Sequence, residues 1–134
     1  MVLAFNDAME PRTLQAGTNG WTCLPDMAHS PGNDPMCLDE GGMAWAQAWM
    51  AQEPPPADTM GFGYMLMAGS DASNEDPFAT APVAGAEWVV TGPHVMVFNT
   101  ASRFPGYPRT AADPSRPYVM FPDTPYEHLM IPVR

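Results

Sequence analysis

The sequence predicts a mainly β fold, a small antiparallel sandwich or partly open barrel of about six short strands with one packed helix. Three observations predict it. Short apolar runs alternate with turn residues, 17 Pro and 11 Gly in 134 positions, while 12 Met, 6 Phe, 4 Trp and 4 Tyr supply a core. Such a chain has too much to bury to remain disordered. A single stretch, residues 39–52, reads as a helix, so the alternating β and α units of a doubly wound fold are missing. Two runs, 87–99 (EWVVTGPHVMVFN) and 126–134 (YEHLMIPVR), read as strands with a buried face. The length suits one domain, 1–134, with one core.

Taken in order, Val2–Phe5 and Trp21–Leu24 read as strands, with another at Thr13–Ala16. Gly17-Thr18-Asn19-Gly20 between them carries an Asn-Gly pair suited to a hairpin turn. Residues 25–36 (PDMAHSPGNDPM) form a loop in which His29 is a solvated side chain. The helix follows, with Asp39 as N-cap and Glu53-Pro54-Pro55-Pro56 as its stop. At 100° per residue Trp45 and Trp49 share a face with Met43, Ala46 and Met50 beside them, and Gln47 lies opposite. That stripe is expected to pack on a sheet, although a Trp pair also suits stacking on a sugar ring.

Residues 60–67 (MGFGYMLM) read as a strand with Met60, Phe62, Tyr64 and Leu66 on one face and Gly61, Gly63, Met65 and Met67 on the other. The small residues imply close approach of another element, with the Trp45/Trp49 helix the natural candidate. Residues 68–86 are irregular and carry Asp71, Asn74, Glu75 and Asp76. Oxygen ligands in a loop suit calcium, and Asp71, Asn74 and Asp76 are a candidate calcium set without EF-hand spacing. Asx side chains bonded to their own backbone account equally for them.

Gly92-Pro93 interrupts the 87–99 run, which implies an edge or a bulge. Beyond it His94, Met96 and Phe98 share a face, with Val95 and Val97 on the other, and two apolar faces read as a strand buried on both sides. Residues 99–117 form another loop, and Tyr118–Phe121 and Tyr126–Val133 close the domain as strands.

Five basic residues, all Arg, stand against fifteen acidic ones, a net charge of −10. That repels phosphate backbones and argues against nucleic-acid binding, while cations and basic partners remain compatible. No run is apolar and long enough to span a membrane. MVLAFNDAMEP has neither a basic n-region nor a long apolar stretch, so it does not read as a secretory signal. Cys23 and Cys37 would form a disulfide in an exported protein and would be two small apolar residues in the cytosol.

The strings NGWTCLPD (19–26), DPMCLDE (34–40), SNEDPFAT (73–80), GPHVM (92–96) and PYEHLMIPV (125–133), in this order, resemble a family of small exported bacterial proteins. The resemblance spans residues 13–133 and carries no activity with it. It implies a periplasmic or extracellular protein and a Cys23–Cys37 disulfide, and it marks the His29 loop as variable.

His94-Val95-Met96 and His128-Leu129-Met130 are the two His-x-Met triplets of the chain. Were the two His opposed on paired strands, their Cβ atoms would lie roughly 4.5–5.5 Å apart, within reach of one ion. Imidazole with thioether suits copper, so His94, His128, Met96 and Met130 are the candidate metal ligands, with Asp123 or Tyr126 as an oxygen donor. The other account makes each His a core residue in a Met-rich chain. An enzyme using a buried His as general base is an alternative, with Ser70-Asp71 or Cys37 as nucleophile, although no hydrolase elbow, zincin or nucleotide motif is present. A non-catalytic structural or protein-interaction module is the third reading, with Phe104, Tyr107 and Tyr118 as exposed aromatics.

Overall fold

The computed structural model describes residues 1–27 and 29–133; Ala28 of the 25–36 loop and Arg134 at the end of the last run lie outside it. The mainly β expectation holds, and ten short strands replace the six expected. They are β1 (Val2–Phe5), β2 (Pro11–Gln15), β3 (Thr22–Leu24), β4 (Met36–Leu38), β5 (Met60–Met65), β6 (Gly69–Asp71), β7 (Val89–Thr91), β8 (His94–Asn99), β9 (Tyr118–Met120) and β10 (His128–Pro132), with helix α1 (Glu40–Met50) after β4. Eight strands form one sheet in the order β2-β1-β3-β4-β5-β8-β10-β9, and β6-β7 form a separate ladder. The large sheet ends on different strands at its two edges and is therefore open.

The extra strands are the three-residue ones. β4 lies at the end of a segment read as loop, and β6 inside the irregular 68–86 segment. The Gly17–Gly20 turn exists, with Gly20 at φ 80°, but it is not a hairpin: β2 and β3 lie on opposite sides of β1, and β3 runs parallel to it. Gly92-Pro93 is where the chain passes from β7 in the small ladder to β8 in the large sheet. The Cys23–Cys37 disulfide is present and joins directly opposed residues of β3 and β4.

The helix sits where its cap and its glycines place it. Asp39 accepts from Gly42 N at 2.8 Å and from Phe62 N at 2.9 Å, so one carboxylate caps α1 and ties it to β5. Gly41 and Gly42 lie directly on Gly61, where any Cβ would overlap the facing backbone. The small-residue face of β5 is thus the helix-facing one, as expected. Trp45 is buried and stacks with Trp49 at 6.4 Å between ring centroids. Met50 departs from the predicted stripe: it is exposed, being the last residue of α1.

The core lies between α1 and one face of the sheet and includes Leu38, Trp45, Met96, Phe98, Met120 and Met130. At one edge the loop after β8 closes the ladder, since Val119 N donates to Pro108 O at 2.8 Å and leaves less free edge for another chain. Tyr118, expected as an exposed aromatic, is 1 % exposed, because its strand is roofed on both sides. Phe104 is half-buried and Tyr107 is exposed.

Candidate functional site

Strands β8 and β10 do pair, in a register that decides the fate of the predicted copper set. Met96 lies opposite Met130, His128 opposite Phe98, and His94 opposite Pro132. All four predicted ligands share the buried face, but the two His are four residue pairs apart, about 13 Å at strand rise. One ion cannot take both imidazoles in this register, and the picture of opposed histidines is corrected. Among the described residues no three His, Cys, Asp or Glu converge to hold a metal ion.

The two imidazoles begin alike. Each Nδ1 meets the carbonyl two residues before it, His94 with Gly92 O at 2.7 Å and His128 with Tyr126 O at 2.9 Å. A carbonyl only accepts, so both rings carry the proton on Nδ1 and leave Nε2 as a lone pair. They end differently. His128 is 3 % exposed and ringed by Trp45, Phe98 and Phe121 at 5.0, 5.2 and 5.5 Å between centroids. Burial pushes its pKa down to about 4, so it is neutral at physiological pH.

His94 is fully buried, and its Nε2 has no hydrogen-bond partner. Met65 and Pro132 are its partners on the neighbouring strands, and among the described residues no aromatic cage surrounds it. Its pKa is lowered by burial, against opposing pulls from the Gly92 hydrogen bond and the Asp34 charge. A Cβ on Gly69 would lie 2.9 Å from His94 Cε1 and 3.2 Å from Met65 Cε, so β6 can lie over the imidazole only with glycine there. Asp71 follows on the same side of β6. Burial, and then the charge of Asp34, raises its carboxyl pKa to about 7.

Asp34 reaches this place from the loop before β4. Its backbone N–H donates to Asp26 Oδ1 at 2.9 Å and its Oδ2 accepts from Ser30 Oγ, while its Oδ1 is buried without a partner. Gly32 makes room: a Cβ there would overlap both Ser70 Oγ and Asp34 Oδ1. Thr91 Oγ1 and Tyr118 OH are bonded at 2.6 Å, and burial raises the Tyr118 hydroxyl to about 12, keeping it neutral. Sequence reasoning passed over Asp34, which reads as a turn residue in Gly32-Asn33-Asp34-Pro35, and over the glycines that admit it.

The candidate calcium set separates. Asp76 is exposed and caps its own turn, accepting from Phe78 N at 2.9 Å, as an Asx turn does. Asn74 Nδ2 donates to Arg109 O at 3.0 Å, which ties the segment to the 99–117 loop, while its Oδ1 is buried and unpartnered. Asp71, half-buried on β6, feels the charge of Asp34 and not that of Asp76. Asp123 and Tyr126 are also engaged elsewhere, Asp123 by Arg109 at 2.8 Å and Tyr126 by Glu53 O at 2.8 Å. Glu127, just before β10, accepts from Arg109 at 2.9 Å and lies 3.3 Å from Arg103. Cys37 is held in the disulfide and offers no thiolate. His29 is exposed, as expected.

Two surface hollows, of about 180 and 360 Å³, are lined respectively by Asn99–Arg103 with Pro125 and Glu127, and by the N-terminus with Trp21 and Cys23. Neither touches His94 or His128. The larger open feature is the outer face of the sheet. On β5, Met60, Phe62 and Tyr64 are 53, 39 and 40 % exposed, and Leu66 beyond it is 58 % exposed. Val95 and Val97 lie beside Tyr64 and Phe62, and Trp21 packs on Tyr64 at 5.0 Å. Comparison of the chain with family models, curated proteins and solved structures gives no match.

Proposed function

We propose that this chain is an exported, disulfide-braced β domain that acts as a non-catalytic protein-interaction module, binding through the open face of its large sheet. The observation that carries this reading is the exposed row Met60, Phe62 and Tyr64 on a strand in the interior of the sheet, with Leu66 exposed just beyond its end. A face of this kind is normally covered by a second layer, and contiguous exposed apolar surface marks interaction sites in soluble proteins. Enzyme chemistry is less well supported, because both histidines are buried and the described hollows reach neither. Export is supported by the Cys23–Cys37 disulfide, a bond of oxidising compartments.

The partner is a different protein offering an apolar surface with a basic rim. Two copies of this chain would bring −10 against −10, which opposes self-pairing. The test places a photo-crosslinking side chain at Phe62 and, as control, at Val83, an exposed loop position away from the sheet. The expected result is one adduct, dependent on position 62, whose purified partner binds the wild type and loses at least tenfold affinity for Phe62→Ser/Tyr64→Ser. Adducts of the chain with itself alone, or binding indifferent to the double substitution, would overturn the reading.

A further inference from the structure

We propose that the hollow between the turn after β8 and the entry to β10 binds one neutral sugar ring, held by Glu127, Arg103 and Ser102. The hollow measures about 180 Å³ and is lined by Asn99–Arg103, Pro125 and Glu127. That is the room of roughly six waters at ~30 Å³ each, so one ring fits and further units would lie outside. The turn that forms one wall is fixed in advance. Thr100 Oγ1 donates to Pro56 O at 2.7 Å and accepts from Thr59 N–H at 2.8 Å, which anchors the turn to the segment before β5. Asn99 accepts from Ala101 N–H at 3.1 Å and donates to Ser102 Oγ at 3.2 Å. Ser102 thereby keeps its hydroxyl hydrogen to give.

Glu127 is bonded through one oxygen only. It is 5 % exposed, and its Oε1 collects Asp123 N–H at 3.0 Å, Arg109 Nη2 at 2.9 Å and Arg103 Nη1 at 3.3 Å. Its Oε2 is buried and, among the described residues, has no partner. A buried carboxylate oxygen left bare is costly, and a ligand hydroxyl donating to it recovers the missing hydrogen bond. Arg103 supplies the complement. Its Nη1 is spent on Thr124 O at 3.1 Å and on Glu127, while its side chain is 58 % exposed and has further N–H donors in a fixed fork. The turn that delivers Glu127 is also strained. Phe121 and Asp123, on either side of Pro122, lie at φ 53° and 62°, and backbone of this kind clusters at ligand sites.

Charge selects the ligand class. Arg103 and Arg109 offset Glu127 and Asp123, so neither an anion nor a cation finds unbalanced charge here. The net charge of −10 disfavours anions further. A neutral molecule that donates and accepts at adjacent atoms fits, and the neighbouring hydroxyls of a sugar do both. One gives its hydrogen to Glu127 Oε2 and the next accepts from Arg103 and Ser102, with the charged partners supplying the stronger bonds. Pro125 adds an apolar wall, the usual complement of a few polar groups in a small-ligand site. Phe62 and Tyr64 do not line the hollow, so this site is independent of the partner surface on the sheet.

The experiment titrates the full, nitrogen-labelled chain with glucose, galactose, mannose and N-acetylglucosamine in turn, followed by amide NMR. Inorganic phosphate and ethylammonium chloride serve as ionic probes. At least one sugar is expected to shift the amides of Asn99–Arg103 and Glu127 saturably, and neither ion to do so. Glu127→Gln and Arg103→Ala should weaken that sugar at least tenfold and Ser102→Ala several-fold, while Val83→Ala leaves it unchanged. Arg103 and Ser102 are exposed, so their variants keep the test decisive should Glu127→Gln fail to fold. No saturable shift with any of the four sugars, shifts confined to other residues, or phosphate or ethylammonium binding in their place would each overturn the proposal. So would sugar binding that survives Arg103→Ala and Ser102→Ala unchanged.

Discussion

His94 and His128 occupy the buried face of adjacent strands and share a tautomer, yet His128 sits in an aromatic cage while His94 lies under Gly69 and Met65 within reach of the Asp34 charge. The difference teaches that burial alone does not make a histidine functional; the partner of the second nitrogen decides. His128 fills volume among Trp45, Phe98 and Phe121, and its neutral ring serves as a core aromatic. His94 keeps a bare lone pair in the interior, within reach of a single charge, that of Asp34.

The comparison breaks most visibly at His128. Removing the ring in His128→Ala should leave a cavity in the cage and cost about 3–5 kcal/mol, the range for large buried rings, read by urea denaturation. His128→Phe should recover most of that loss. Were His128→Phe as damaging as His128→Ala, the ring nitrogens rather than its volume would be what the core requires.

A second effect is linkage. The ordinary His pKa of 6.5 applies to the unfolded chain and about 4 to folded His128. Between these values the unfolded chain binds the proton that the folded one refuses, so stability falls as pH drops from 6.5 to 4 and levels off below. The contribution is about 3 kcal/mol, and it should vanish in His128→Phe when unfolding is measured across that window.

The smallest of the three effects sharpens the His94 side. Gly69→Ala places a Cβ 2.9 Å from His94 Cε1, so imidazole or β6 must shift, at about 1–3 kcal/mol. The signature is specificity: the change should alter the His94 ring resonances and leave those of His128 in place. Equal disturbance at both rings would mean that the two environments are not separate.

How much of this was legible in the sequence follows from the range of each interaction. Alternation along 94–98 grouped His94, Met96 and Phe98 on one face, because side chains of a strand alternate, but both faces are apolar and only the packed sheet shows that this face is the more buried. The helix was legible from Asp39 and the prolines after it, and the glycines of β5 from the approach they allow. Strands β4 and β6 were not, since three residues among Pro and Gly carry no period. The partner of each histidine was also hidden. In an antiparallel pair, setting Met96 against Met130 sends the two His to opposite ends, and only register, a long-range property, makes that choice. Asp34 comes to lie near Ser70, on either side of Gly32, for the same kind of reason, through a loop whose turn chemistry names no destination.

The most direct measurement is a pH titration of both imidazoles by long-range nitrogen–proton NMR on the labelled chain, from pH 3 to 8. The expected spectrum at pH 7 has both rings neutral with the proton on Nδ1. On acidification His128 should stay neutral until pH approaches 4. Titration of His128 near 6.5 would contradict the account of a neutral ring held in an aromatic cage.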